Sequence, residues 1–84
     1  MAPAPDDDAG LVGEVDARGL LCPLPVLKTQ KALALAPAGS TLRVLATDPM
    51  AAIDIPHLCA ETGHTLIESG KRADGVLVFR IEVG

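Results

Sequence analysis

Apolar and polar residues alternate in several segments of the chain, and this is the pattern of β-strands with one buried face. The strands predicted in this way cover residues 14–18, 41–47, 65–69 and 76–83. The side chains expected to face the core are Val15, Ala17, Leu42, Val44, Ala46, Leu77, Phe79, Ile81 and Val83. Those expected on the wet face are Glu14, Asp16, Arg43, Arg80 and Glu82. The dipeptide Asp74-Gly75 is typical of a hairpin turn before the last strand.

A first helix is predicted from Pro23 to Leu35. Pro23 takes the first helical position and Pro25 the third, where the backbone N–H groups have no intrahelical partner to lose. Pro37 and Gly39 end the helix at its other side. The residues expected on its buried face are Val26, Leu27, Leu33 and Ala34.

A second helix is predicted to begin with Asp54 as its N-cap and to end at Gly63. A start nearer Pro49 would place Pro56 in the helix interior, where proline costs about 3 kcal/mol. From Asp54, Pro56 falls in the first turn and is tolerated. The buried face expected at helical spacing comprises Ile55, Leu58, Cys59 and Thr62.

The order of these elements is β-α-β-α-β-β, which predicts an α+β fold. Right-handed crossovers would place both helices on one side of a four-stranded mixed sheet, giving a two-layer α/β sandwich. With 84 residues the chain has room for one small domain, which we expect at residues 11–84. Residues 1–10 contain only Met, Ala, Pro, Asp and Gly and are expected to be a disordered tail.

Composition argues against several classes of function. The formal net charge is −4, and no Lys/Arg cluster is interleaved with aromatic residues, so direct nucleic-acid binding is not expected. No segment approaches the roughly 18 apolar residues of a membrane span, and we expect a cytoplasmic protein with no membrane partner. Two cysteines in such a chain do not form a disulfide framework.

Cys22 is the residue best placed for chemistry, because it precedes the first helix in the segment Leu-Cys-Pro-Leu-Pro, residues 21–25. Proline disfavours helical geometry in the residue before it, so Cys22 is expected to be the N-cap. The free N–H group of Leu24 would then point towards the sulfur. The helix dipole would lower the thiol pKa from about 8.5 by roughly 0.2–1.5, and Arg18 would add to this effect if it turned towards the site.

The other candidate residues favour structural roles. Cys59 belongs to the apolar stripe of the second helix, and a redox pair with Cys22 has no CxxC spacing to support it. His57 and His64 flank Cys59, yet the two cysteines match no zinc pattern, so neither a metal nor a cofactor is expected. His57 is expected to be exposed in the first turn of its helix. A reactive thiolate in a chain too small for a large pocket suits sulfur exchange with another protein.

The segment from Asp16 to Val26, with its Cys-Pro-x-Pro motif, resembles the signature of the TusA/SirA family of small sulfur-carrier proteins. The residues Asp48-Pro49, the tripeptide at 54–56 and Cys59 are similar to the second helical segment of that family. The likeness extends from about residue 12 to the C-terminus.

This resemblance implies a sulfurtransferase in which Cys22 carries sulfane sulfur as a persulfide. The donor would be a cysteine desulfurase or a rhodanese-like protein. A downstream protein of tRNA thiolation, molybdenum-cofactor assembly or sulfur oxidation would be the acceptor. Pro23 and Pro25 would shape the helix start, while Asp16 and Gly19 would support the loop. Leu24 occupies a variable position that is expected to touch the partner.

Two alternatives remain open from the sequence. The chain would also suit a non-catalytic adaptor that binds a partner through the first helix and the Cys22 loop. The same thiolate would equally handle selenium, in which case only the cargo differs.

Overall fold

The computed structural model describes residues 11–84, with side chains from residue 13 onwards. The predicted disordered tail, residues 1–10, lies outside the described residues. The elements are β1 (Leu11–Ala17), α1 (Leu24–Leu35), β2 (Thr41–Ala46), α2 (Ala51–Thr62), β3 (Thr65–Lys71) and β4 (Leu77–Glu82). The predicted element order is therefore confirmed. In the described part of the chain, no helix is both long and apolar enough to cross a membrane.

The strands form one mixed sheet in the order β1-β2-β4-β3. β1 and β2 are parallel and are joined through α1, whereas β4 is antiparallel to both β2 and β3. Both helices pack on the same face of the sheet, as the right-handed crossovers predict. The α+β two-layer sandwich is confirmed.

The core lies between the sheet and the two helices. Its buried residues are Val15, Ala17, Leu33, Leu42, Val44, Ala46, Ala51, Ile55, Leu58, Cys59, Phe79, Ile81 and Val83. All the strand residues predicted to point inwards belong to this core or, in the case of Leu77, pack against it. On the open face the predicted polar residues are found, but Leu45 is also buried there, between its cross-strand neighbours Asp16 and Val78.

The predicted buried face of α1 is partly wrong. Leu33 is buried and Val26 is half-buried, as expected, whereas Leu27 and Ala34 are exposed. Pro25 and Thr29 are buried instead. Positions 25, 29 and 33 follow a strict i, i+4, i+8 row, so the helix is rotated relative to the prediction and places a threonine hydroxyl in the core.

The predicted start of α2 at Asp54 is also wrong, since the helix begins at Ala51 and contains Pro56 in its interior. Asp48 sets this earlier start: its Oδ1 accepts the N–H of Met50 at 3.0 Å and its carbonyl accepts that of Ala51 at 2.9 Å. The earlier start buries Ala51, which offsets part of the cost of the proline. At the other end Gly63, with φ of 80°, ends the helix as predicted, but Thr62 is exposed.

Candidate functional site

Cys22 lies in an exposed turn between β1 and α1. It is not the N-cap, which is Pro23, and the Cys22–Pro23 peptide bond is cis. The N–H of Leu24 bonds the carbonyl of Leu21 at 2.9 Å, and the N–H of Leu27 bonds that of Pro23 at 3.1 Å. The helix therefore begins one residue later than expected, after a separate turn. The Leu24 amide predicted to face the sulfur is already engaged.

The segment before Cys22 is held by Asp16, Arg18 and Gly19. Both carboxylate oxygens of Asp16 contact the Arg18 guanidinium, at 2.8 and 2.9 Å, and Oδ1 also accepts the Arg18 backbone N–H. This pairing holds the pKa of Asp16 well below its ordinary range. Gly19 has φ of 79°, which favours glycine, and donates its N–H to Thr47 Oγ1 at 2.9 Å. Arg18 is thus paired with Asp16 and does not turn towards the sulfur.

Asp48 joins the Cys22 loop to the start of α2. Its Oδ2 accepts the backbone N–H of Cys22 at 2.7 Å, while Oδ1 accepts that of Met50. These two donors, with Met50 the stronger, hold the pKa of Asp48 below its ordinary value. One carboxylate therefore fixes both the position of the cysteine and the entry into the second helix. The sequence contains a signal for this start, because Asp-Pro before a helix is a start signature, but the cost of Pro56 in the helix interior argued for the later start at Asp54.

Asp54 is the side chain in contact with the sulfur. The Cys22 thiol donates to Asp54 Oδ2 across 3.4 Å. This hydrogen bond, followed by desolvation and the charges of Asp54 and Asp48, raises the pKa of the Cys22 thiol. The predicted lowering by the helix start is therefore wrong. A carboxylate in contact with the sulfur outweighs a dipole whose nearest donor, the Leu24 amide, is bonded elsewhere.

A groove of about 350 Å³ runs between the helices, with Cys22 at its rim. Val26 and Gln30 line it from α1, and Asp54, Leu58 and Glu61 line it from α2. The chain around the thiol also exposes large apolar side chains: Leu21 and Leu24 flank Cys22 in sequence, and Met50 and Ile53 lie at the start of α2. A second groove of about 380 Å³ lies on the open face of the sheet, away from the thiol.

The other candidate residues lie apart from this contact. Cys59 is buried, and burial raises the pKa of its thiol. His57 is exposed, with Nε2 3.2 Å from Glu61, and the Nδ1 of His64 accepts the N–H of Gly84 at 3.0 Å. Among the residues from 11 to 84, no group of three or more His, Cys, Asp or Glu side chains is placed to hold a metal ion.

These features define a class: a small two-layer α/β domain that presents one exposed cysteine just before its first helix. The chain belongs to the TusA family, since the family profile described as "Sulfurtransferase TusA" matches residues 13–83. Nearly all of the described chain takes part in this match. The resemblance inferred from the Cys-Pro-x-Pro segment is confirmed at the level of the family.

Individual relatives agree with the profile. The sulfur carrier protein TusA of Allochromatium vinosum is 42% identical over 69 residues, which are 82% of this chain and 90% of that protein. The sulfur carrier protein TusA of Pseudomonas syringae pv. syringae is 41% identical over 63 residues, 75% of each chain. The crystal structure of a SirA-like protein from Desulfitobacterium hafniense has a TM-score of 0.76 at 30% identity, covering 86% of this chain and 97% of that one.

Proposed function

We propose that this protein is a sulfur carrier in which Cys22 accepts sulfane sulfur as a persulfide and passes it to an acceptor protein. Membership of the TusA family supports the general role, and the relatives named sulfur carrier protein TusA agree with it. The finer statement, that Cys22 is the carrier, depends on one observation. Of the two cysteines, Cys22 is exposed and Cys59 is buried at 2% exposure.

The chemistry requires a sulfur that another protein can reach. The Cys22 thiolate attacks the terminal sulfur of a donor persulfide, a new S–S bond forms on Cys22, and the donor leaves as a thiolate. Transfer to an acceptor cysteine repeats these steps. The donor is a cysteine desulfurase or a rhodanese-like protein, and Leu21 and Leu24 offer it exposed apolar contacts beside the sulfur. Because Cys22 rests as a thiol, its proton must leave before attack.

The test is to incubate the protein with a cysteine desulfurase and cysteine and to map the added sulfur by peptide mass. We expect the extra sulfur on the peptide containing Cys22, its loss in Cys22→Ala, and its retention in Cys59→Ala. Sulfur that appears on Cys59 and never on Cys22 would contradict the proposal. Cys59→Ala is the matched control, since it removes the chain's other thiol and leaves the Cys22 loop intact.

The exposed apolar side chains around the loop also suit a second function, that of an adaptor which binds a partner without carrying sulfur. Leu21, Leu24, Met50 and Ile53 together offer the kind of surface that proteins use for association. Capture of a partner that is unaffected by Cys22→Ala, together with no persulfide on the wild-type protein, would favour this function over the carrier.

A further inference from the structure

The contact between Cys22 and Asp54 favours one protonation state of the Cys22 thiol. A thiol donates a hydrogen bond, whereas an ionised carboxylate only accepts one. Across the 3.4 Å from Sγ to Asp54 Oδ2, an ionised carboxylate therefore has a hydrogen bond only while Cys22 is protonated. A thiolate in the same position would face a like charge at contact distance, which disfavours the ionised form.

Among the described residues, no Lys or Arg side chain lies at the Cys22 sulfur to offset the negative charge of Asp54. The Arg18 guanidinium is paired with Asp16, and Lys28 Nζ bonds the backbone carbonyl of Asp16 at 2.7 Å. The residues that line the interhelical groove include no Lys or Arg. The charged groups that face the thiol are Asp54 and Asp48, with the His57–Glu61 pair further along α2.

Sulfur exchange nevertheless needs the thiolate as nucleophile. Building on the proposed function, we infer that Asp54 keeps resting Cys22 protonated and that a Lys or Arg side chain of the docked sulfur donor releases the thiolate by pairing with Asp54. The groove is open to solvent and its lining includes the carboxylates of Asp54 and Glu61, while Leu21 and Leu24, on either side of Cys22 in the sequence, are exposed. A basic partner segment is the occupant that complements both its charge and its surface.

The transfer step balances without an oxidant or reductant. On docking, the Lys or Arg side chain of the donor pairs with the Asp54 carboxylate. This ion pair replaces the hydrogen bond from the Cys22 thiol, and Cys22 loses its proton. The Cys22 thiolate forms a bond to the terminal sulfur of the donor persulfide while the donor S–S bond breaks. The donor thiolate leaves and takes up the proton that Cys22 released. The products are a Cys22 persulfide and a donor thiol.

This inference has two consequences of opposite sign for Asp54→Asn. Without the carboxylate charge, Cys22 in the free protein ionises more easily and reacts faster with a small neutral reagent. Without the same charge, the donor cation loses its partner and loading by the donor becomes less efficient. A residue with only a structural role would not move the two rates in opposite directions.

The first measurement is the rate of Cys22 alkylation by iodoacetamide as a function of pH, followed by peptide mass so that Cys59 does not contribute. We expect Asp54→Asn to shift the profile to lower pH and to raise the rate near pH 7.5 by about 1.5- to 5-fold, as loss of one solvent-exposed charge interaction does. Glu82→Gln is the control, because it removes one carboxylate from the exposed end of β4. Equal profiles for the two variants would overturn the inference.

The second measurement is loading of full-length protein by a cysteine desulfurase with cysteine. We expect Asp54→Asn to raise the KM for the carrier at least about threefold, the effect of losing one charge pair at an interface, with Asp54→Glu restoring part of the loss. Loading that becomes faster in step with alkylation would show that no donor cation pairs with Asp54 and would also overturn the inference. The melting temperature of each variant confirms that it is folded.

The two experiments separate this inference from the proposed function. Alkylation of Cys22 does not depend on sulfur transfer, so its pH profile tests the Asp54 contact even if no persulfide forms. The opposite outcome is also distinguishable. If wild-type protein takes up sulfur on Cys22 but Asp54→Asn and Glu82→Gln give the same alkylation and loading rates, the carrier function is supported and the role of Asp54 is contradicted.

Discussion

At the scale of the residue, the environment of Cys22 is set by contacts that are remote in sequence. The two carboxylates that position its backbone and its sulfur, Asp48 and Asp54, are 26 and 32 residues away. Local reasoning from the prolines singled out Cys22, which the structure places in an exposed turn. It gave the wrong sign for the thiol pKa, because the helix dipole is visible in the sequence and the approach of α2 is not. Cys22 is exposed, as sulfur exchange with another protein requires.

Asp48 accepts hydrogen bonds from the backbone amides of both Cys22 and Met50, and this pair of bonds is called the Asp48 tether. The tether leads to a prediction about acid titration. Because the Met50 and Cys22 amides both donate to this carboxylate, the pKa of Asp48 is lowered. The tether is therefore complete at every pH above the ordinary pKa of an aspartate, which is about 3.9. The tether is lost only as the pH falls through the lower, folded-state pKa. We expect the amide proton shifts of Cys22 and Met50 in NMR spectra to titrate together, with one midpoint below about 3.9.

The matched control for this titration is Asp48→Asn, which cannot ionise and should remove the shared transition from both amides. Asp74, whose pKa is also lowered, bonds Arg72 and the Val76 N–H in the β3–β4 turn. Asp74→Asn should therefore leave the Cys22 and Met50 titrations unchanged. Different midpoints for the two amides would show that they do not share one carboxylate.

Thr29 gives a second prediction at this scale. It is completely buried in α1, and within the described chain its hydroxyl has no hydrogen-bond partner. An unsatisfied buried hydroxyl costs about 1–3 kcal/mol, so Thr29→Val, which keeps the shape, should raise the free energy of unfolding by about 1 kcal/mol. Thr29→Ser keeps the hydroxyl and removes the methyl group, and should lower it by about 1 kcal/mol. Urea denaturation measures the free energy of unfolding of both variants. If Thr29→Val lowered it as much as Thr29→Ser does, the hydroxyl would be hydrogen-bonded in the folded protein.

At the scale of the element, the strands were predicted better than the helices. Alternation along β2 and β4 gave their inward side chains correctly, since a strand has only two faces and the period fixes which residues share one. A helix has no such restriction. Thr29 and Gln30 interrupt the apolar stripe of α1, and only packing against the sheet selects the row containing Pro25, Thr29 and Leu33.

The start of α2 shows the second limit of local reasoning. Pro56 argued for a start at Asp54, because an interior proline is costly. The structure tolerates that proline, since it removes one backbone donor while the additional helical turn buries Ala51. Whether burial outweighs a lost hydrogen bond depends on the space beneath the helix, which the sequence of the helix does not contain.

Gly63 yields the prediction for this scale. It ends α2 with φ of 80°, and an added Cβ would meet no atom within 4 Å, so only backbone strain opposes a substitution. Gly63→Ala should lower the free energy of unfolding by about 1–2 kcal/mol, the cost of a left-handed conformation for an L-residue. Gly70→Ala is the control: Gly70 lies in β3, also with open space and without the positive φ.

Thermal or urea denaturation distinguishes the two glycine variants. Gly70→Ala should be neutral or stabilise by up to about 1 kcal/mol, because glycine within a strand costs conformational entropy. If Gly63→Ala and Gly70→Ala changed stability equally, the left-handed conformation would not be what requires glycine at the end of α2.

At the scale of the whole molecule, the two faces differ in how their charges are paired, since Arg43 and Arg80 on the open face form ion pairs with Glu14 and Glu68. Four of the seven basic residues line the groove on the open face of the sheet: Arg43, Lys71, Arg72 and Arg80. The helical side carries carboxylates around the thiol, namely Asp48 and Asp54, with Glu61 further along the groove. A formal net charge of −4 describes neither face. Reagents and partners approaching Cys22 therefore meet a locally negative field.

This field predicts a charge preference at Cys22 that needs no partner protein. The anionic reagent iodoacetate should alkylate Cys22 more slowly, relative to neutral iodoacetamide, at low salt than at high salt. We expect the ratio of the two rates to rise by about threefold between 0.01 and 1 M salt, since the Debye length falls from about 30 to 3 Å over this range. Asp54→Asn should reduce the salt effect, whereas Lys71→Gln, on the open face, should leave it unchanged. A ratio independent of salt in the wild-type protein would mean that the carboxylates around Cys22 exert no net field at the sulfur, and that a basic partner gains nothing there from its charge.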